Sequence, residues 1–171
     1  KSLPPDSPAL GAVLVSYGVV QFNNLGDYAG AEATLSGALA LGKKVGDCDL
    51  QARSLVALAF IDNRMWRFRE AREKVDRAAV LLEGSSDMYA LTHYNVLRYQ
   101  IMIDMGSPDG AVPFLDRWIE LAVRGRDAFG VGASCFSRCR VELLSGDWDS
   151  ARRFINEGLA AMPDHVFLLS C

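Results

Sequence analysis

A six-residue segment near the end of the chain, Gly146 to Ala151, has three earlier counterparts, each spaced by 40 residues. They begin at Gly106, Trp66 and Gly26, and every copy ends in alanine, at positions 31, 71, 111 and 151. Self-similarity at a fixed spacing of about 20–50 residues is typical of chains built from stacked repeats. Each alanine is followed after four and seven positions by the pairs Leu35 and Ala38, Val75 and Ala78, Leu115 and Trp118, and Ile155 and Gly158.

Within the repeats, apolar residues recur at helical spacing. Between Tyr28 and Lys44 they stand at positions 28, 31, 35, 38, 39 and 41, the pattern of a helix with one buried side. No segment shows sustained period-two alternation, so an all-α fold with almost no strand is predicted. The eight expected helices span about residues 9–25, 28–44, 50–64, 69–82, 87–105, 108–123, 128–144 and 148–162.

The first eight residues hold three of the six prolines and are predicted to be a linker. The repeat domain is expected at residues 9–163, with repeats at about 9–48, 49–86, 87–126 and 127–163. Residues 164–171 are expected to start a truncated next helix, so we interpret the chain as a fragment of a larger protein. Asp49 is predicted to cap the third helix, Ser86 or Asp87 the fifth, and Asp164 the truncated one.

The composition favours a folded chain that does not contact membranes. Direct nucleic-acid binding by this part of the protein is not expected either. Half of the 171 residues are apolar, which is enough for a continuous core. A net charge of −3 argues against a broad nucleic-acid surface. No run approaches the ~18 apolar residues of a membrane span, and no signal peptide is recognisable. A cytoplasmic location is therefore expected.

The four cysteines, at positions 48, 135, 139 and 171, have no disulfide-framework spacing, which favours a reduced compartment. Cys135 and Cys139 lie one helical turn apart. As metal ligands they would need two more donors, and His93 and His165 are the only histidines. Burial as small hydrophobic residues is the favoured interpretation. Neither a metal site nor a cofactor is predicted.

A basic cluster follows the third predicted helix: Arg64, Arg67, Arg69, Arg72, Lys74 and Arg77. Phosphate binding is one interpretation. The favoured one is a solvent-exposed helix face with i, i+4 ion pairs, worth about 0.2–0.5 kcal/mol each. Those pairs would be Arg69–Glu73, Glu70–Lys74, Arg72–Asp76 and Glu73–Arg77. The tryptophans, at positions 66, 118 and 148, are expected in the core, because they occupy similar positions of the repeat.

The repeated motif resembles the second half of a tetratricopeptide (TPR) repeat. The residues that carry this resemblance are Gly146-Asp147-Trp148, Ala151, Ile155, Gly158 and Pro163, and in the first repeat Gly26-Asp27-Tyr28, Ala31, Leu35 and Ala38. In the first-helix half, Leu55, Leu58 and Ala59 also match. The resemblance implies a right-handed α-solenoid of four antiparallel helix pairs plus the start of a fifth. The longer repeat is similar to the regulatory domain of bacterial LuxR-type, ATP-dependent transcription activators.

No catalytic constellation is recognisable, so the chain is not expected to be an enzyme. Two functions remain open: an interaction scaffold for a protein, a peptide or other modules of the parent chain, and a sensor for a small-molecule inducer. By analogy with TPRs, the first helix of each pair would line a concave binding groove. Its candidate residues are Tyr17, Asn24, Arg53, Asn63, Arg64, His93, Gln100, Asp104 and Arg140. Joint replacement of Arg53 and Arg64 is expected to weaken binding and leave the fold intact.

The last residues form an apolar run from Val166 to Leu169. These four side chains cannot all face the same way on a helix, so at least one is expected to stay exposed. Burial of Phe167 or Leu169 would contribute about 1.5–3 kcal/mol. Weak self-association through this end is therefore predicted, and it should be absent from a Phe167→Asp variant in sedimentation velocity.

Overall fold

The computed structural model describes residue 4 and residues 7–163, and within them it contains eight α-helices and no strand. The helices are α1 (Pro8–Val20), α2 (Tyr28–Val45), α3 (Cys48–Arg64), α4 (Phe68–Leu81), α5 (Met88–Asp104), α6 (Pro108–Arg124), α7 (Ala128–Ser145) and α8 (Trp148–Ala161). The chain divides into two compact units, residues 1–97 and 98–171, and the boundary falls within α5. No helix of the described part is long and apolar enough to cross a membrane.

Helices joined by short turns pack against each other in both units. In the first unit α1 contacts α2, α3 contacts α4, and α3 also packs against both helices of the first pair. In the second unit α7 contacts α8 and α6. A short turn between two packed helices makes them antiparallel. The predicted all-α architecture of helix pairs is therefore confirmed.

The repeated alanines lie in the core of the helix pairs. The alanines at positions 31, 71, 111 and 151 are all buried, and so are Leu35, Val75 and Leu115. In the fourth repeat Phe154 is buried and its neighbour Ile155 only half-buried. The sequence repeat thus corresponds to a repeat of core positions.

Replacement of Ala71 by leucine is expected to lower the free energy of unfolding by about 1–3 kcal/mol, because its site is filled by surrounding atoms. The matched control is Ala40→Leu, which adds the same atoms at an exposed position of α2. Urea unfolding of both variants measures the difference. Equal stability of the two variants would show that the repeats are aligned incorrectly.

Aspartates cap most helices, at positions that differ in part from those predicted. Asp47, not Asp49, caps α3, since its Oδ1 accepts a hydrogen bond from the Leu50 amide at 2.9 Å. Asp87 caps α5 by accepting from the amides of Tyr89 and Ala90 at 3.1 and 3.2 Å. Asp49 lies one residue inside α3, so its side chain is too late in the helix to cap the first amides.

The first predicted helix, residues 9–25, is wrong in its last turn: α1 ends at Val20, and Gln21–Leu25 form a π-helical turn. The Gln21 carbonyl accepts from the Asp27 amide at 3.0 Å, across six residues. The corresponding bonds of the other repeats span five residues and run from Arg67 to Asp62, from Ser107 to Met102 and from Asp147 to Glu142. The first repeat therefore accommodates one extra residue in this turn.

The turn after the first helix of each pair contains one residue with positive φ. Three of these residues are glycines, Gly26, Gly106 and Gly146, with φ of 68°, 74° and 82°. The second repeat has Trp66 there, with φ of 62°. The left-handed conformation costs a residue with a side chain about 1–2 kcal/mol.

The expectation that all three tryptophans lie in the core is wrong for two of them. Trp118 is 8% exposed, whereas Trp66 is 79% and Trp148 69% exposed. The repeat alignment did not show whether each tryptophan lies in the middle of a helix or at its end. Trp118 stands in the middle of α6, but Trp66 lies in a turn and Trp148 is the first residue of α8.

The basic cluster forms partly different ion pairs from those predicted. Lys74 pairs across the helix interface with Asp62, at 2.5 Å, instead of with Glu70 on its own helix. Arg67 pairs with Asp62 and Glu32, and the predicted Arg72–Asp76 pair is present at 3.7 Å. Two cations of the cluster are thus used within the fold.

Two further expectations, the cap at Asp164 and self-association through residues 166–169, lie outside the described residues. Cys135 and Cys139 are buried, as expected, and burial raises the pKa of the Cys135 thiol to about 11. This thiol is therefore protonated and unreactive at neutral pH. No group of His, Cys, Asp and Glu within the described ranges is suited to hold a metal ion.

Candidate functional site

A cavity of about 100 Å³ lies in the first unit, between the first helices of successive pairs. The end of α1 with its π-helical turn, one face of α3 and the start of α5 form its wall. Its aliphatic lining consists of Val19, Val56, Ala57 and Ala90. The other lining residues are aromatic, cationic or amide side chains, so the cavity combines an apolar interior with polar groups.

Helical spacing and the repeat bring these side chains together. Arg53, Ala57, Phe60 and Arg64 stand at i, i+4, i+7 and i+11 on α3, so they share one face. His93 on α5 is the repeat equivalent of Arg53, since the two are separated by 40 residues. Equivalent positions of neighbouring repeats lie side by side in a stack. The repeat therefore brings Arg53 and His93 to the same cavity.

Aromatic rings form much of the wall. The His93 ring lies 4.0 Å from the Tyr89 ring and 6.4 Å, edge to face, from the Phe60 ring, measured between centroids. Phe22 is buried in the π-helical turn, and the Arg64 guanidinium lies 5.7 Å from its ring centroid. Flat apolar rings with a cation over one face suit an aliphatic or aromatic guest.

Arg53 is held in place by the start of α5. Its Nε donates to Asp87 Oδ2 at 2.5 Å, and its guanidinium lies 5.5 Å from the centroid of the Tyr89 ring. The hydrogen bond to Asp87 raises the pKa of Arg53 above its usual value. The Asp87 side chain is buried, so loss of Arg53 would leave a carboxylate without its cation. Replacement of Arg53 is therefore expected to destabilise the fold, whereas the sequence alone predicted that the fold would stay intact.

His93 offers the cavity a hydrogen-bond acceptor. Its Nδ1 lies 2.8 Å from the Tyr89 carbonyl oxygen, which can only accept, so Nδ1 carries the proton. Burial lowers the pKa of His93, and the ring is neutral at pH 7. Nε2 therefore has a free lone pair. Burial also raises the pKa of Tyr89, which keeps its hydroxyl protonated.

The cavity unites three of the nine predicted groove residues: Arg53, Arg64 and His93. In the first unit Tyr17 lies on an exposed face of α1, Asn24 is exposed on the π-helical turn, and Asn63 is half-buried near the end of α3. The remaining three lie in the second unit. Gln100 is half-buried, and Asp104 and Arg140 are exposed.

Sequence reasoning missed Phe22, Asn23, Phe60 and Tyr89, which also line the cavity. Two of them carried a usable signal. Phe60 stands seven residues after Arg53, and Tyr89 four before His93, so each shares a helix face with a predicted residue. For Phe22 and Asn23 the sequence contained no such signal. The π-helical turn brings them to the cavity wall, and this turn departs from the regular helical spacing.

The sequence matches no protein-family model. No curated protein matches it either. Among solved structures, the chain is similar to PilW, a type IV pilus biogenesis factor, with 14% identity and a TM-score of 0.68 over 97% of this chain and 67% of PilW. YrrB, a TPR protein with an unusual peptide-binding site, matches with 13% identity and a TM-score of 0.46, over 92% of this chain and 89% of YrrB. The likeness to PilW, together with the helix pairs and their repeated core positions, identifies an all-α, TPR-like helical repeat fold.

Proposed function

We propose that the chain is a non-catalytic protein-interaction domain and that its cavity receives one apolar side chain of a peptide or protein partner. The observation that carries this proposal is the aromatic cavity between α1, α3 and α5. Its lining contains no carboxylate, serine or cysteine among the described residues, which supports a binding role over a catalytic one.

The size of the cavity favours a side chain over a small-molecule inducer. Sites for drug-sized ligands usually have volumes of about 300–1,000 Å³. This cavity, at about 100 Å³, has room for one leucine- or phenylalanine-sized group. A peptide can place such a group inside and leave its backbone on the rim. There the neutral His93 can accept a hydrogen bond and the exposed Arg64 can pair with a carboxylate.

A finer part of the proposal concerns the parent protein. We propose a cytoplasmic, LuxR-type bacterial transcription regulator in which this domain contacts other modules or a separate partner. The support is the repeat of 40 residues, which is longer than that of ordinary TPRs. Sequencing of the full reading frame is the test. A phosphate-binding loop and a helix-turn-helix in the same frame are expected, and a frame without both would contradict this parentage.

The side-chain role is tested with N-acetyl-phenylalaninamide and N-acetyl-leucinamide as probes. In methyl NMR titrations we expect shifts at Ala57 and Ala90, with dissociation constants in the millimolar range. Ala57→Leu fills the cavity and should weaken binding at least about tenfold. Ala40→Leu, at an exposed position, should leave the titration unchanged.

Two results would contradict the proposal. One is equal binding by the Ala57→Leu variant, which would place the probes elsewhere. The other is a metabolite that raises the melting temperature of the wild-type chain but not that of Ala57→Leu, which would assign the cavity to an inducer.

A further inference from the structure

Trp66 stands at a position that the fold reserves for glycine. In the other three repeats the corresponding residue is glycine with a positive φ, and a Cβ added to any of them would meet no atom within 4 Å. The turn therefore requires the left-handed backbone conformation there, and a side chain at this position extends into open space rather than into the core. Tryptophan adopts this conformation with strain and gains no core packing from it.

Trp66 packs little against the rest of the described chain. Its side chain is 79% exposed, and its ring contact is an edge-to-face approach to Phe68, with 5.7 Å between the centroids. The neighbouring Met65 is also exposed. A large ring that is strained, exposed and weakly packed contributes little to folding, which leaves an intermolecular contact as its use.

We propose that Trp66 is the anchor of a second contact surface and inserts into an apolar pocket of a protein partner that has acidic residues around that pocket. The surface consists of Arg64, Met65, Trp66 and Arg69. It spans the end of α3, the following turn and the start of α4. Arg64 also lines the cavity, but Met65, Trp66 and Arg69 do not, so the inference stands on Trp66 whether or not the cavity binds a side chain. Tryptophan and arginine are the residue types most enriched among the energetically dominant residues of protein interfaces.

The charges next to Trp66 favour an acidic partner. Arg69 is exposed, and its ion pair with Glu70 is long, at 3.8 Å. Arg64 is exposed and contacts the Phe22 ring through its guanidinium. Both arginines can therefore exchange solvent for a partner's carboxylates at small loss.

Single-stranded nucleic acid is the competing occupant, since it also stacks on tryptophan. Nucleic-acid binding depends on many phosphate contacts. Here Arg67 is engaged by Glu32 and Asp62, Lys74 is engaged by Asp62, and the chain carries a net charge of −3. The surface around Trp66 thus offers too few cations for a phosphate track, and a protein partner is the better fit.

The first test is stability. Trp66→Gly is expected to keep or raise the melting temperature, by up to about 4 °C, because relief of strain outweighs the flexibility of the added glycine. The reciprocal variant Gly146→Trp should lower it by a similar amount. A decrease of more than about 2 °C in Trp66→Gly would assign Trp66 a structural role and overturn the inference.

The second test is binding, with a phage-displayed library of random peptides as the probe. Peptides selected on the wild-type chain should combine apolar and acidic residues. Trp66→Gly should weaken their binding at least about tenfold, and Arg64→Gln with Arg69→Gln should weaken it by a smaller factor. Trp148→Ala, which removes another exposed tryptophan, should have no effect. Trp66→Asn, which also tolerates the left-handed conformation, should behave like Trp66→Gly.

Three outcomes would overturn the proposal. Peptides that bind Trp66→Gly as well as wild type would remove Trp66 from the surface. Binding of oligothymidylate that is lost in Trp66→Gly would assign the surface to nucleic acid. A dimer in sedimentation velocity that dissociates in Trp66→Gly would assign it to a second copy of the chain.

Discussion

Replacement of Leu35 by alanine is expected to lower the free energy of unfolding by about 2–5 kcal/mol. Leu35 is fully buried on α2, in a cluster with Val15, Ala38 and Ile61. Its removal loses the transfer free energy of the side chain and leaves a void in a close-packed interface. Urea unfolding, followed by circular dichroism, measures the loss.

The void left by Leu35→Ala should lie next to Gly18. A Cβ at Gly18 would lie 2.6 Å from Leu35 Cγ, closer than the two atoms can approach. Gly18→Ala alone is therefore expected to destabilise the chain by overpacking. In the Leu35→Ala background the same methyl group fits, and the two changes should show a coupling of about 0.5–3 kcal/mol.

Gly37→Ala is the matched control for this pair of variants. Gly37 is in α2 as well, and a Cβ there would meet no atom within 4 Å. Because alanine is the better helix former, this variant should be more stable than wild type by up to about 1 kcal/mol. Additive effects of Gly18→Ala and Leu35→Ala would contradict the packing of α1 on α2.

The second large effect is expected at Asp62, whose carboxylate joins α3 to α4. Asp62 is 3% exposed, with Lys74 Nζ at 2.5 Å and Arg67 Nη2 at 2.8 Å from its oxygens. Removal of one partner of a buried ion pair costs about 3–5 kcal/mol. The Lys74 and Arg67 side chains are 28% and 36% exposed and so keep part of their hydration. For Asp62→Ala we therefore expect a smaller loss, about 2–4 kcal/mol.

Two comparisons separate the ion pair from simple truncation. Asp62→Leu combined with Lys74→Met replaces the pair by apolar groups and should recover most of the stability, because Arg67 keeps its ion pair with Glu32 and no buried charge is left without a partner. Arg72→Met removes the exposed pair with Asp76 and should cost less than about 1 kcal/mol. A loss in Asp62→Ala no larger than in Arg72→Met would show that this carboxylate is well hydrated.

The candidate site could be predicted in part. Arg53, Arg64 and His93 were candidates because, by analogy with TPRs, the first helix of each pair lines a groove, and the structure places all three at the cavity. The analogy does not show which groove positions face a cavity and which face solvent. Tyr17, for example, obeys the same rule and lies on an open surface of α1. That distinction depends on the depth of packing between helices.

The sequence by itself determined the helix pairs and their core positions. The contacts that define a helix lie three or four residues apart, and a repeat imposes the same contacts at every fortieth residue. Both relations can be read along a single chain. The buried alanines at positions 31, 71, 111 and 151 and the near agreement of the helix bounds follow from them.

Only the tertiary structure decided the features that depend on distances between helices. Lys74 could pair with Glu70 on its own helix or with a carboxylate on another one, and only the packing of α4 on α3 selects Asp62. The π-helical turn, the exposure of Trp66 and the cavity beside His93 also arise where one repeat departs from the others. A periodic pattern describes what the repeats share, so these departures are set by packing between elements rather than by local spacing.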